Sequence, residues 1–319
     1  MYLLFIAVGL ILLTLGAELL IAGATALARR LGLSELLIGL TLVGFGTSTP
    51  ELVSSIEAAL SGAPGIAVGN VVGSNIANIL LILGLSAAIA PVIVEPKAFR
   101  RDAFALAGAT ALAIAVSSGG EIGRLSGALF LTALAVYIAY AYLTDANAPA
   151  APETLRRESE AAALPAPASP ALARALIQTV LGFFLLAVGA KLLVGGAITA
   201  ASNLGVSETL IGLTVVAVGT SLPELFTSVR AAMRGRSALA LGNVVGSNLY
   251  NILGILGATA LVKPVSVSGQ IVAFDNWVMA AATAAMIVFA FSGGRVARWE
   301  GALLLAAYAA YLGWLAFMA

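Results

Sequence analysis

Residues 16–84 of this chain recur at residues 189–257, at a constant offset of 173 and without a gap, with roughly 40 of 69 positions identical. GAELL matches GAKLL, LGLSELLIGLT matches LGVSETLIGLT, and GNVVGSNIANIL matches GNVVGSNLYNIL. The likeness revives near the end of each half, where SGGEIGRLSGALFL resembles SGGRVARWEGALLL. Whatever the first half builds, the second half builds again.

Both copies are apolar almost throughout. Of 319 residues, 61% are hydrophobic and 10% charged, at a mean hydropathy of +1.06, against about 25% charged in soluble domains. A deficit spread over the whole length indicates a polytopic membrane protein. Apolar stretches of about 20 residues are the unit to count. There are ten: 3–27, 34–60, 66–90, 98–117, 124–143, 171–200, 207–232, 238–262, 271–291 and 297–317. Five segments per copy is an odd number, so the second copy enters the bilayer upside down. Its motifs then pair with those of the first around a pseudo-two-fold axis in the membrane plane. The expected fold is an all-α polytopic membrane protein of ten transmembrane helices. Residues 1–144 form the first five-helix repeat and 171–319 the second, inverted one, with helices 2, 3, 7 and 8 broken around a mid-membrane site. Residues 145–170 are polar and Ala/Pro-rich and read as a linker. The first segment lacks the positive n-region of a cleavable signal peptide and recurs later in the chain.

The basic residues set the sidedness. Loops after segments 1, 3, 5, 7 and 9, with their flanks, hold Arg29, Arg30, Lys97, Arg100, Arg101, Arg156, Arg157, Arg174, Arg230, Arg234, Arg236, Arg295 and Arg298. The opposite loops hold only Arg124 and Lys263. By the positive-inside rule both termini lie outside and the linker is cytoplasmic, in the cell (inner) membrane. Without cysteine or histidine, the chain has no disulfide, no thiolate and no imidazole for metal or acid–base chemistry.

The repeated motifs carry the chemistry. GTSTPEL and GTSLPEL place a glutamate directly after a proline inside an apolar run. Proline removes a backbone hydrogen bond and clashes with the preceding turn, so each helix is interrupted and a half-helix restarts. Glu51 and Glu224 then fall in the first turn of a half-helix, where the dipole favours an anion. Freed carbonyls and the hydroxyls of Thr47, Ser48, Thr220 and Ser221 become oxygen ligands. A carboxylate at that depth costs about 2.5–3.5 kcal/mol even on the lenient insertion scale. No lysine or arginine lies at the same depth in segments 2, 3, 7 or 8; Arg230, six residues past Glu224, corresponds to Glu57 in the first copy. A bound metal ion is the simplest partner. The alternative, a protonated glutamate shared between helices, suits one isolated residue better than two in duplicated positions.

In GNVVGSN, Gly69 with Gly73 and Gly242 with Gly246 form GxxxG packing pairs. Ser74 with Asn78 and Ser247 with Asn251 each share a helix face, offering a hydroxyl and an amide oxygen to one point. Asn75 and Asn248, on another face, are expected to pack or to tie down broken backbone. An all-oxygen site with two carboxylates suits hard cations such as Ca²⁺ and Na⁺, and competition for one site is the basis of antiport. Glu35 and Glu208 read as helix-start residues facing the outside. Glu18 and its counterpart Lys191 are expected to snorkel toward the outer interface, and Asp275 to pair with Trp277 at the interface.

At these motifs the chain resembles the cation/Ca²⁺ exchanger superfamily, and most closely prokaryotic Na⁺/Ca²⁺ exchangers. The resemblance implies extracellular termini, ion sites at mid-membrane, and alternating access by sliding of segments 1 and 6. It makes Glu51 and Glu224 the central carboxylates and places Asn78 and Asn251 at the remaining central corners. Thr47, Ser48, Ser74, Thr220, Ser221 and Ser247 serve around them, and the carbonyls of Gly44 and Ala217 complete outer Na⁺ sites. Archaeal relatives carry an aspartate where this chain has Asn251. The expected activity is Na⁺-driven Ca²⁺ antiport, with H⁺/Ca²⁺ antiport as the alternative. The expected partners are Ca²⁺, Na⁺ and the lipid bilayer, with no cofactor and no nucleic acid. A site that closes within one chain implies a working monomer, unlike a channel built from several subunits. An intramembrane hydrolase would need an aspartate dyad that the spans do not supply.

Overall fold

The computed structural model describes residues 2–62, 64–146, 172–203, 219 and 221–318. Its elements follow the predicted segments closely. Helix α1 spans Tyr2–Leu31. Segment 2 comprises α2 (Glu35–Ile38), a π-helical turn π1 (Gly39–Val43), α3 (Gly44–Thr47) and α4 (Thr49–Leu60). Segment 3 is α5 (Pro64–Ala77), π2 (Asn78–Leu83) and α6 (Gly84–Ile89), followed by strand β1 (Val92–Ile93). Then come α7 (Pro96–Ser117), β2 (Glu121–Ile122), α8 (Arg124–Ala146) and α9 (Leu172–Asn203). The remainder is α10 (Leu222–Met233), α11 (Ser237–Leu249), π3 (Tyr250–Ile255), α12 (Leu256–Val262), β3 (Val265–Ser266), π4 (Ile271–Asp275), α13 (Asn276–Gly293), β4 (Arg295–Val296) and α14 (Arg298–Met318).

Among the described residues, seven helices are long and apolar enough to cross a bilayer, and Glu35–Thr47 with Thr49–Leu60 adds an eighth, bent by 45°. The other two predicted segments fall short for identifiable reasons. α7 carries Lys97, Arg100, Arg101 and Asp102 in its first two turns, and residues 204–218 of segment 7 lie outside the described residues.

The structure departs from the sequence reading in two architectural respects. Segments 3 and 8 are not interrupted. Each is a continuous 26-residue helix, Pro64–Ile89 and Ser237–Val262, because no proline inside them forces a break. A π turn absorbs the irregularity instead, as it often does at functional positions. The fold is also not purely helical: β1 pairs antiparallel with β4, and β2 with β3. These short ladders join loop backbones that would otherwise be left without partners. Each ladder takes one strand from each half of the chain.

Packing centres on the α5–π2–α6 and α11–π3–α12 helices, which are the most buried. Backbones approach closely where the GxxxG reading placed them in the second copy. A Cβ on Gly242 would lie 2.5 Å from Leu36 O, and one on Gly246 would collide with Leu40 O. A second seam was not read from the sequence. α1 and α9 run along each other through Gly9, Gly16 and Gly23 on one side and Gly182, Gly189 and Gly196 on the other. The spacing of seven puts each set on one stripe, and a Cβ on Gly182 would lie 2.9 Å from Gly16 O. Such contact between backbones supplies the dispersion energy that holds helices together in lipid.

Two charged residues, Glu18 and Asp275, sit elsewhere than expected. Glu18 does not snorkel to the outer interface; its carboxylate pairs with Arg230 and Arg234 at the end of α10. Glu35 does start a helix, with Ser34 Oγ capping Leu37 N at 3.1 Å. It also pairs with Arg236 at 2.7 Å, a residue of an arginine-bearing loop. Asp275 is buried and accepts a 3.0 Å hydrogen bond from Tyr311, while Trp277 is exposed and is not its partner. The repeat offers the same arrangement at Asp102, which accepts from Tyr137 at 3.0 Å. Lys191 is exposed on α9, and Glu208 lies outside the described residues.

Candidate cation site

The break in segment 2 falls at Ser48 (φ −87°, ψ 9°), and the same conformation recurs at Ser221 (φ −88°, ψ 9°). Each serine precedes a 12-residue helix, α4 or α10, with a proline and then a glutamate in its first turn. Proline is tolerated there because its missing N–H is one that has no intrahelical acceptor. Glu51 and Glu224 follow it at the positive end of the helix dipole. Both are buried, at 1% exposure.

The two halves then cross. Ser48 Oγ donates to Glu224 Oε1 at 2.7 Å, and Ser221 Oγ donates to Glu51 Oε1 at 3.4 Å. The serine that opens one half-helix therefore holds the carboxylate of the other, and both carboxylates converge on one place. The second oxygen of each, Glu51 Oε2 and Glu224 Oε2, is buried and accepts no hydrogen bond among the described residues. Asn78 Oδ1 and Asn251 Oδ1 are buried and unpartnered in the same way. π2, which begins at Asn78, packs on the Glu224 helix α10, and π3, which holds Asn251, packs on the Glu51 helix α4. The four acceptor oxygens thus belong to elements that pack against one another.

Several of the other predicted residues lie on the same or adjoining elements. Thr47 Oγ1 is 3.0 Å from Val43 O and 3.3 Å from Asn243 Oδ1. Ser247 Oγ donates to Gly44 O at 3.4 Å, which brings a predicted hydroxyl and a predicted carbonyl together. Ser74 is buried on α5, one turn before Asn78. Thr220 and Ala217 lie outside the described residues. A cavity of about 340 Å³ lies against the break, lined by Thr47, Thr49, Pro50 and Pro223 and by Phe183, Phe184, Leu186 and Ala187 of α9. The Phe183 ring fills the space that a Cβ on Gly46 would take.

The tie-down role falls on different asparagines from those expected. Asn75 donates to Val71 O of its own helix at 2.7 Å, and both amide atoms of Asn248 are buried without partners. Asn70 and Asn243 fasten the broken segments instead. Asn70 Nδ2 reaches Ser55 Oγ at 2.9 Å and Glu51 O at 3.3 Å, and Asn243 Nδ2 reaches Ser228 Oγ at 2.8 Å and Glu224 O at 3.4 Å. Both asparagine pairs hold identical motif positions in the two copies, so the motif alone does not choose between them. Anchoring the glutamate's own carbonyl fixes where its side chain starts.

Chemically the site is a set of oxygen acceptors. Among the described residues, no lysine or arginine pairs with Glu51 or Glu224. Burying two carboxylates costs several kcal/mol per ion unless charge and hydrogen bonds compensate. Carboxylate, amide, hydroxyl and carbonyl oxygens are the donor set of hard cations.

A family profile described as sodium/calcium exchanger protein matches residues 1–143 and 174–317. The putative antiporter CaxA of Alkalimonas amylolytica is 39% identical over 310 residues, covering 96% of this chain and 96% of that one. The sodium/calcium exchanger MaX1 of Methanosarcina acetivorans is 36% identical, covering 97% of each. Among solved structures, the sodium-calcium exchanger NCX_Mj soaked with Na⁺ and Sr²⁺ superposes with a TM-score of 0.84 at 31% identity, over 98% of this chain and 97% of that one. Matching serine–proline–glutamate helix starts, crossed serine–glutamate bonds and likeness over nearly the full length agree: the chain belongs to the sodium/calcium exchanger family, a family of membrane cation transporters.

Proposed function

We propose that this chain exchanges Na⁺ for Ca²⁺ across the cell membrane by alternating access at one shared mid-membrane site. The observation that carries the reading is the set of four buried oxygens, Glu51 Oε2, Glu224 Oε2, Asn78 Oδ1 and Asn251 Oδ1, that accept no hydrogen bond among the described residues. Two carboxylates match the charge of one Ca²⁺, and several Na⁺ ions offer comparable charge to the same cluster, so the ions compete. Ser48, Ser74, Thr47, Ser221 and Ser247, with Thr220, complete the oxygen shell, and the carbonyls of Gly44 and Ala217 serve the flanking Na⁺ positions. That relatives are named antiporter and sodium/calcium exchanger supports the assignment.

The reading includes ten crossings in two inverted repeats, residues 1–144 and 171–319, joined by a cytoplasmic linker, in a protein that works as a monomer. The loop contacts support this sidedness. Loops after segments 3 and 9 join through β1 and β4, those after segments 1 and 7 through Glu35 and Arg236, and those after segments 4 and 8 through β2 and β3. This is the grouping that the basic residues give, with the arginine-bearing set inside and the termini outside.

The test is uptake of radioactive calcium into proteoliposomes holding an outward gradient of Na⁺, K⁺, Li⁺ or H⁺ in turn. Uptake driven by the Na⁺ gradient alone is the expected result. Uptake driven only by the proton gradient makes the chain an H⁺/Ca²⁺ antiporter instead.

A further inference from the structure

The two halves are near copies in sequence but are not packed alike. Among the described residues, α1 lies along α10, whereas α9 and α4, the pair that the repeat makes equivalent, hardly touch. A chain with two equivalent halves and unequal packing has a second arrangement available, in which the close and loose contacts trade places. The charges at these contacts show how the trade is controlled.

Glu18 of α1 is held by Arg230 and Arg234 of α10, with both carboxylate oxygens 3.0 Å from Arg234 Nη2. The repeat offset of 173 carries Glu18 to Lys191 on α9, and carries Arg230 back to Glu57 on α4. The signs are exchanged, yet the attraction survives: acid against base in one half, base against acid in the other. In the structure Lys191 and Glu57 are both exposed, and no ion pair joins them. Arg234 has no charged counterpart, since the equivalent position is Ser61.

We propose that Glu18–Arg230/Arg234 and Lys191–Glu57 are alternating latches. The first, which is formed in this structure, would hold closed the mouth on the arginine-rich side. The second forms when the α1–α9 pair shifts, and it holds the opposite mouth closed. The proposal rests on the alternating-access reading above. Two arginines on the first latch against one glutamate on the second bias the protein toward the state observed. One partly exposed ion pair more or less changes the ratio of two such states by roughly 1.4-fold to fivefold, which shifts the balance when the states are close in energy.

The chain has no cysteine, so spin labels attach cleanly to introduced ones. Leu60 at the end of α4 and Thr199 near the end of α9 are both exposed. A Leu60→Cys, Thr199→Cys protein in liposomes, without any ion gradient, reports the distance between these helices by pulsed electron resonance. A dominant long distance is expected, with a minor short one that grows severalfold in R230A/R234A. The milder Arg234→Ser, which makes the two latches alike, should act in the same direction. In the R230A/R234A background, K191E should remove the short distance and E57K/K191E should restore it. A short population indifferent to K191E, or a charge swap no better than K191E alone, overturns the latch. Calcium flux is measured on the same vesicles: latch behaviour without flux removes the exchange reading and leaves the latch, whereas flux without latch behaviour removes the latch alone.

Discussion

Ser48 and Glu224 stand 176 positions apart in the chain, yet the serine hydroxyl donates to the glutamate carboxylate at 2.7 Å. The reciprocal bond from Ser221 to Glu51 is longer, at 3.4 Å. Hydrogen bonds to a charged acceptor contribute about 1.5–3 kcal/mol, roughly tenfold or more in affinity. Ser48→Ala should therefore raise the calcium concentration for half-maximal exchange by about tenfold, and Ser221→Ala by less. Concentration dependence of calcium uptake in proteoliposomes checks the order; an equal or reversed effect would show that the two bonds do not differ as drawn.

Neutralising either carboxylate should stop calcium transport without unfolding the protein. In Glu51→Gln or Glu224→Gln, half of the compensating charge for a divalent ion is gone, and Ca²⁺ affinity tracks ligand charge. Removing one of two unpaired buried anions also removes like-charge repulsion. The melting temperature in ion-free detergent should thus hold or rise while Ca²⁺ no longer raises it. Flux retained by both variants rules out the site.

These expectations rest on features that were legible in the sequence to different degrees. The helix ends fall within a few residues of the apolar runs, because lipid imposes length and composition on every span. Ser48, Pro50 and Glu51 announced a break because proline has one steric meaning inside a helix. The choice between Asn70 and Asn75 was not legible. Both lie on α5, on different faces, and which face meets segment 2 depends on a rotation fixed by packing with α4. Glu18 illustrates the same limit: its arginines lie 212 and 216 positions away, and no local pattern names them. The seven-residue glycine spacing was visible in principle, but only a reading for helix seams would have used it.

Asn251 offers a direct handle on ion choice. Its Oδ1 is buried and bare, so a carboxylate placed there adds a third negative charge to the cluster. Asn251→Asp should strengthen Ca²⁺ binding and make exchange more sensitive to inhibition by protons. Calcium titration and flux at graded pH read both effects, and no change in either would place Asn251 away from the ion.

The glycine seam predicts a stability difference between two positions. A Cβ on Gly16 would sit 2.8 Å from Leu186 N, whereas one on Gly195 meets nothing within 4 Å. Gly16→Val forces α1 and α9 apart and should lower the melting temperature in detergent by several degrees, since overpacking costs about 1–3 kcal/mol. Gly195→Val on the same seam helix should leave it nearly unchanged. Equal losses would mean that the seam is not a close contact.

The two short ladders have a consequence for how the molecule can be taken apart. β1 and β2 belong to the stretch before Ala146, and β3 and β4 to the stretch after Leu172, so neither portion can satisfy its own loop backbone. A cut anywhere between those residues frees two pieces that remain laced together at both rims of the molecule. Produced as separate polypeptides, they should seek each other out, much as a zipper closes whether or not its tapes are sewn at the end.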